Sequence, residues 1–316
     1  MNSNIKVALA QIAPVWLDRE ATLEKILQSL EQAKNENAEL VVFGEALLPG
    51  YPFWLALTDG AAWNKKVVKE LHRHYCLNAV DIEAGDLEVV CAFAKANSIA
   101  IYLGIIERPS DRGGHSLYAS LVYIDQNGLI QSVHRKLQPT YDERLTWSPG
   151  DGNGLVTHHL KGFTVSGLNC WENWMSLPRA AMYAQGTNLH VAAWPGSDYN
   201  TKDITRFIAR EGRTFVLSVS SLMLKEHFPK GTPHLEELLE NAPAVLANGG
   251  SCIAGPDGEW IIEPQIGKEE LITATLDLNR VFEERQNFDP AGHYSRPDVT
   301  QLNVNRKRQS TVKFED

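Results

Sequence analysis

Cysteine is scarce in this chain of 316 residues: there are four, Cys76, Cys91, Cys170 and Cys252. They are too few and too scattered for a disulfide framework, and no Cys-x-x-Cys pair supplies half of a zinc site. Basic runs are missing too. With 39 acidic against 30 basic residues the formal charge is −9, so neither a nucleic-acid nor a membrane partner is expected. No segment approaches the roughly 20 apolar residues of a membrane span. The opening run IKVALAQIAPV has no basic leader and contains Gln11, so it reads as a first strand rather than a signal peptide, with the cytoplasm as the default location. There is no Walker A sequence, and Gly150, Gly152 and Gly154 lack the GxGxxG spacing and its strand-then-helix setting. An apolar share of 43%, with 23 glycines and 15 prolines, excludes collagen-like, low-complexity and wholly disordered chains.

Strand and helix patterns alternate at first. IKVALAQI is strand-like, and Leu23, Ile26, Leu27, Leu30 and Ala33 form one helical stripe. ELVVF (Glu39 to Phe43) is a buried strand that delivers Gly44 and Glu45 into the loop ALLPGYPFW. A second stripe carries Leu87, Val90, Cys91 and Ala94, ahead of the strand IAIYLGII. In the middle, SLYASLVYI and the run from Leu129 to His134 flank the turn DQNG as a hairpin. VTHHL and FTVSGLNC pair through Lys161–Gly162. Helices near Ser176 to Gln185 and before Arg213 alternate with LHVAAW and FVLSVSSL. GSCIAGP, EWIIEP and LITATLDL close the series, with turns at Pro256–Gly258 and Pro264–Gly267. The pattern predicts one layered α/β domain over residues 1–285, sheets covered by helices, and a polar C-terminal extension over 286–316.

Cys170 ends FTVSGLNC and opens WENW. At a sharp strand-to-helix turn, the free N–H groups of Trp171 and Glu172 would support developing negative charge and favour thiolate. Cys91 and Cys252 read as packing residues. His72, His74 and Cys76 are ligand types in HRHYC, but on the helix expected there they would diverge around the axis, so no metal site is expected. No histidine fits a Cys–His pattern. Glu45 and Lys136 instead follow strands, where burial would tune a carboxylate toward base duty and a lysine would need a partner. Trp54, Trp171, Trp174 and Trp194 lie in or beside the same loops and could line an apolar pocket. Taken singly, each has an ordinary reading as surface charge or core.

Together, FGEALLPGYP around Glu45, HRKLQPTYDER around Lys136 and LNCWENW around Cys170 resemble the nitrilase branch of the carbon–nitrogen hydrolase superfamily. FDPAGHYSRPDV resembles the tail of true nitrilases, and the likeness runs from about Ile5 to Asn305. It implies a four-layer α-β-β-α sandwich, dimerised across helices and extended into helical homo-oligomers, with the segment after Gln286 crossing a subunit interface. It also implies Glu45 as general base, Cys170 as nucleophile and Lys136 as stabiliser of the tetrahedral species. Glu143 is implied as an additional acid, with an ion pair holding the lysine loop as its plainer reading. The substrate is expected to be an organic nitrile, aromatic or arylaliphatic, bound near Trp54, Trp171, Glu172, Trp174 and Trp194, with no metal or organic cofactor. An amidase with the same triad and a non-catalytic assembly protein are the alternatives. One departure is visible: the family commonly has proline before the glutamate, and Gly44 stands here.

Overall fold

The computed structural model describes residues 3–312. Its first half runs β1 (Asn4–Gln11), α1 (Arg19–Asn35), β2 (Leu40–Phe43), α2 (Trp54–Leu57), α3 (Lys66–Asn78), α4 (Glu88–Asn97), β3 (Ala100–Glu107), β4 (Tyr118–Ile124) and β5 (Ile130–Arg135). The second half runs β6 (His158–Leu160), β7 (Phe163–Asn169), α5 (Ser176–Tyr183), β8 (Leu189–Trp194), α6 (Asp198–Gly212), β9 (Phe215–Ser220) and β10 (Leu222–Leu224). It ends with α7 (Leu235–Asn241), β11 (Val245–Ala254), β12 (Trp260–Ile266), β13 (Glu270–Asp277) and α8 (Asn279–Arg285).

One sheet has the order β13-β1-β2-β3-β4-β5. The other has the order β10-β11-β9-β8-β7-β6, with β12 added on β11. Strands separated by a helix pair in parallel, as β1 with β2 and β7 with β8, whereas the tight DQNG and Lys161–Gly162 turns join antiparallel neighbours. Alternation along each strand divides its residues between two faces. On β1, Val7 and Leu9 meet Val165, Val191 and Leu217 of the opposite sheet. Ala8 and Ala10 face the other way, onto Leu23, Ile26 and Leu30 of α1 and the stripe of α4. Ala192, Val216 and Ala254 on the outer side of the second sheet bury Ile204 and Ile208 of α6. The result is the expected α-β-β-α sandwich.

Two local expectations are corrected. Pro264 does not end its strand: β12 continues to Ile266, which a proline tolerates on a strand with one neighbour. His72 and Cys76 do not diverge, because four residues on a helix return to the same face; Cys76 Sγ lies 3.3 Å from His72 Nε2. The C-terminal extension touches the domain at Asp151 and Asn153. Arg308 Nη1 and the Gln309 N–H engage Asp151 at 3.0 and 2.9 Å, and Asn153 Nδ2 donates to the Arg306 carbonyl at 3.1 Å. The last residues of the expected tail, 313–316, lie outside the described ones. Among the described residues no helix is long and apolar enough to cross a membrane.

Candidate active site

Glu45, Lys136 and Cys170 come from strands of both sheets, and all three strands end at the same edge of the sandwich. Glu45 follows β2, and its N–H donates to the Trp194 carbonyl at the end of β8, 3.1 Å away, tying the two sheets together. Lys136 follows β5, its backbone held by Ala119 and Gly150. Cys170 follows β7 and begins a 3-10 turn over Cys170–Trp174. Its φ of 49° lies in the left-handed region, an unusual conformation for a side chain with a Cβ. That strained turn aims the thiol away from the strand line.

The elbow is held from below by a buried chain of hydrogen bonds. Asn173 Nδ2 donates to the carbonyls of Leu168 and Cys170 at 3.2 and 2.9 Å, and its Oδ1 accepts from His190 Nε2 at 2.8 Å. His190 Nδ1 in turn meets Ser166 Oγ at 2.8 Å. Burial, and then the Arg179 charge, push His190 down to about 3, so the ring stays neutral and keeps this polarity.

Lys136 Nζ lies 2.9 Å from Glu45 Oε1 and 2.7 Å from Glu143 Oε2, with all three side chains almost wholly buried. The contact with Glu45 is an ion pair, and beyond the lysine the Glu45 oxygens have no hydrogen-bond donor among the described residues. Glu143 is fully engaged. Its Oε2 also accepts the Thr140 N–H at 2.6 Å, and its Oε1 accepts from Tyr51 Oη at 2.9 Å. Ligand-type atoms of Glu45, Glu143 and Cys170 lie within 4.8 Å of one another. A metal cation is not needed to balance them, because the lysine ammonium already stands against both carboxylates.

The electrostatics follow from burial. Desolvation raises the Glu45 carboxyl to about 8 against the pull of Lys136, with Glu143 adding to the rise. Burial likewise pushes the Cys170 thiol well up, opposed by Lys136 and by the Trp171 N–H. Desolvation alone would lower Lys136, but the charges of Cys170, Glu45 and Glu143 outweigh it and hold the lysine protonated. The cluster is therefore a base poised near neutrality, a thiol that ionises only beside a cation, and a permanent positive charge.

The expected pocket residues separate. Trp171 and Trp174 are partly exposed and stack with centroids 6.0 Å apart. Trp54 is buried against Tyr75 in the aromatic core, its Nε1 without a hydrogen-bond partner. Trp194 is also buried, supporting Cys170 from behind with its Nε1 directed at Ser218. Glu172 does not face outward either. Its carboxylate accepts the N–H groups of Leu137 and Asn169 at 2.7 and 2.8 Å and meets His134 Nε2 at 3.1 Å. It binds the cysteine turn to the lysine loop. Tyr51 and His134 carry site geometry that sequence reasoning missed. The first stood unremarked in PGYP, and the second is defined only by its distant partner Glu172.

Such a thiol, carboxylate and ammonium set on a four-layer sandwich belongs to a known class. The carbon–nitrogen hydrolase family matches residues 6–286. A nitrilase of Pseudomonas syringae is 36% identical, covering 96% of this chain and 91% of that protein. An aliphatic nitrilase of Rhodococcus rhodochrous is 35% identical, covering 98% and 82% respectively. A crystal structure of a carbon–nitrogen hydrolase from Helicobacter pylori superposes with a TM-score of 0.70 at 19% identity, over 94% of this chain and 97% of that one. The chain belongs to the carbon–nitrogen hydrolase family.

Proposed function

We propose that this chain is a nitrilase, converting an organic nitrile and two waters into the carboxylic acid and ammonia. The observation that carries the reading is the buried cluster of Glu45, Lys136 and Cys170, with one reactive thiol beside one raised carboxyl and one fixed cation. Full-length similarity to proteins named nitrilases supports nitrile over amide.

Glu45 takes the Cys170 proton as the thiolate attacks the nitrile carbon, giving a thioimidate. Negative charge developing on nitrogen is met by Lys136 and a backbone N–H, that of Trp171. Water activated by Glu45 adds to the thioimidate carbon, ammonia leaves, and a thioester remains. A second water releases the acid. If the first tetrahedral adduct expels sulfur instead, an amide is the minor product. Glu143 acts on the lysine, holding it in register with Glu45.

An aromatic or arylaliphatic group is placed against Trp171 and Trp174, whose stacked rings directly follow the nucleophile. A cytoplasmic homo-oligomer is the accompanying assignment. The exposed apolar side chains of Leu177 on α5 and Tyr199 and Phe207 on α6 support a contact between copies there. Parallel assays of a nitrile and its matching amide test the chemistry: acid from the nitrile is expected, and fast amide turnover with an inert nitrile sinks the reading. Equal rates on benzonitrile, phenylacetonitrile and short dinitriles would remove the aromatic preference.

A further inference from the structure

Beside the reactive cluster, buried polar atoms stand without hydrogen-bond partners. Ser221, between β9 and β10, is 6% exposed and its Oγ has none; neither does Glu45 Oε2. Glu45 Oε1 faces the Lys136 ammonium, and the Cys170 thiol lies within 4.8 Å of a Glu45 carboxylate oxygen. Leaving a buried hydroxyl and a carboxylate oxygen unsatisfied is costly in a folded interior, which points to a small polar ligand between them. Both residues line one cavity of about 10 Å³, whose other walls include Pro14, Leu47, Tyr51, Phe53, Pro195 and Met223. That is the space of about one water, and far too little for an aryl group.

We propose that Ser221, with Glu45 Oε2, holds the water that cleaves the covalent intermediate on Cys170. The inference rests on the hydrolase reading above and adds a residue to it. Gly44 is the structural counterpart. A Cβ at position 44 would stand 2.6 Å from Ser221 Oγ and 2.8 Å from the Trp194 carbonyl oxygen. Any larger residue before Glu45 would therefore push the hydroxyl out of this corner, so the departure seen at Gly44 and the serine belong together.

The held water donates one hydrogen to Glu45 and the other to Ser221, leaving a lone pair free. On attack its oxygen bonds to the thioimidate carbon, the C=N π pair moves to nitrogen, and its proton passes to Glu45. Glu45 returns that proton to nitrogen, and the hydroxyl proton of the adduct follows by the same route as the carbonyl forms; the C–N bond breaks with its pair going to nitrogen, ammonia leaves, and Glu45 is again ionised. The next water repeats the addition at the thioester carbon. The C–S bond breaks with its pair going to Sγ, which recovers the proton from Glu45, and the acid is released. Ser221 acts only in the two water steps and not in nitrile capture.

The test is Ser221→Ala, assayed on a nitrile that the wild type turns over, with intact-protein mass spectrometry during turnover. Loss of the water's second anchor should lower kcat roughly ten- to thirty-fold. The kcat/KM for nitrile capture should change by no more than about threefold. A Cys170 adduct should accumulate, and hydroxylamine, which brings its own nucleophile, should discharge it as hydroxamate at the wild-type rate. Thermal stability should be unchanged or higher, because the hydroxyl removed has no protein partner. Retained kcat, a parallel fall of kcat/KM without adduct, or a variant that loses its fold would each overturn the proposal. Failure of the nitrile reading is separable: wild type would then release acid from the amide alone, and the same adduct measurement on the amide decides the water site.

Discussion

Lys136 Nζ stands 2.7 Å from Glu143 Oε2, a contact between residues seven apart in sequence that are both almost wholly buried. The short connection means one loop supplies both the cation of the site and the carboxyl group that holds it. The second carboxylate, Glu45, arrives from another strand and shares the same ammonium.

Removing the cation leaves the buried Glu143 carboxyl without its ammonium partner and pushes Glu45 further toward its neutral form. Lys136→Met should abolish turnover and destabilise the fold by about 3–5 kcal/mol at neutral pH. Chemical denaturation at pH 7 checks this; an unchanged midpoint would show that the carboxylates do not depend on the lysine.

The pH profile reports Glu45. Its carboxyl sits at about 8 rather than the ordinary 4.5, chiefly through burial, and it must be ionised to accept the thiol proton. Accordingly kcat/KM should climb with pH around a midpoint near 8, and not near 4.5. Glu143 adds to that rise, so Glu143→Gln should move the midpoint to lower pH while reducing the rate by at least roughly tenfold. The stability linkage has the opposite sign to the activity. The folded state holds this proton more tightly than the unfolded chain, so Glu45's contribution is full below 4.5 and lost as pH rises through 8. Glu45→Gln cannot ionise, and its stability relative to wild type should increase across that window.

Glu172 is the reverse case. Although burial opposes its ionisation, His134 and the N–H groups of Leu137 and Asn169 hold its carboxyl below the usual range. Its stabilisation is present above about 4.5 and lost as pH falls through the lowered value. Glu172→Gln should cost roughly 2–3 kcal/mol at pH 7, and the gap to wild type should narrow in acid. Equal gaps at pH 7 and pH 4 in urea titrations would contradict the assignment.

Where the strands crowd, glycine is obligatory. A Cβ on Gly104 would collide with the Gly44 carbonyl oxygen and lie 2.8 Å from Glu45 Cα. Gly104→Ala should yield inactive or insoluble protein, whereas Gly231→Ala, which meets nothing within 4 Å, should match wild type in yield and rate.

The order of strands and helices was legible in the sequence because apolar spacing reports which face of each element is buried. α1 and α4, the hairpin β4–β5 and, apart from β10 and the end of β12, the strands of both sheets stand where the stripes and turns place them. Short elements escaped that signal: α2, β10 and α7 contain too few residues to display a period. For the tryptophans, size and loop position do not reveal direction: Trp54 and Trp194 turn inward, while Trp171 and Trp174 remain partly exposed. Glu172 likewise sits in the reactive motif yet spends its oxygens on the backbone.

By itself the sequence determined the chemical inventory: scarce cysteine without disulfide or zinc spacing, and a carboxylate, an amine and a thiol each placed just after a strand. Tertiary structure decided what that inventory could do. Charge, burial and distance are properties of the assembled sandwich. The raised carboxyl of Glu45, the locked ammonium of Lys136 and the unpartnered hydroxyl of Ser221 arise only when two sheets close over groups that lie far apart along the chain.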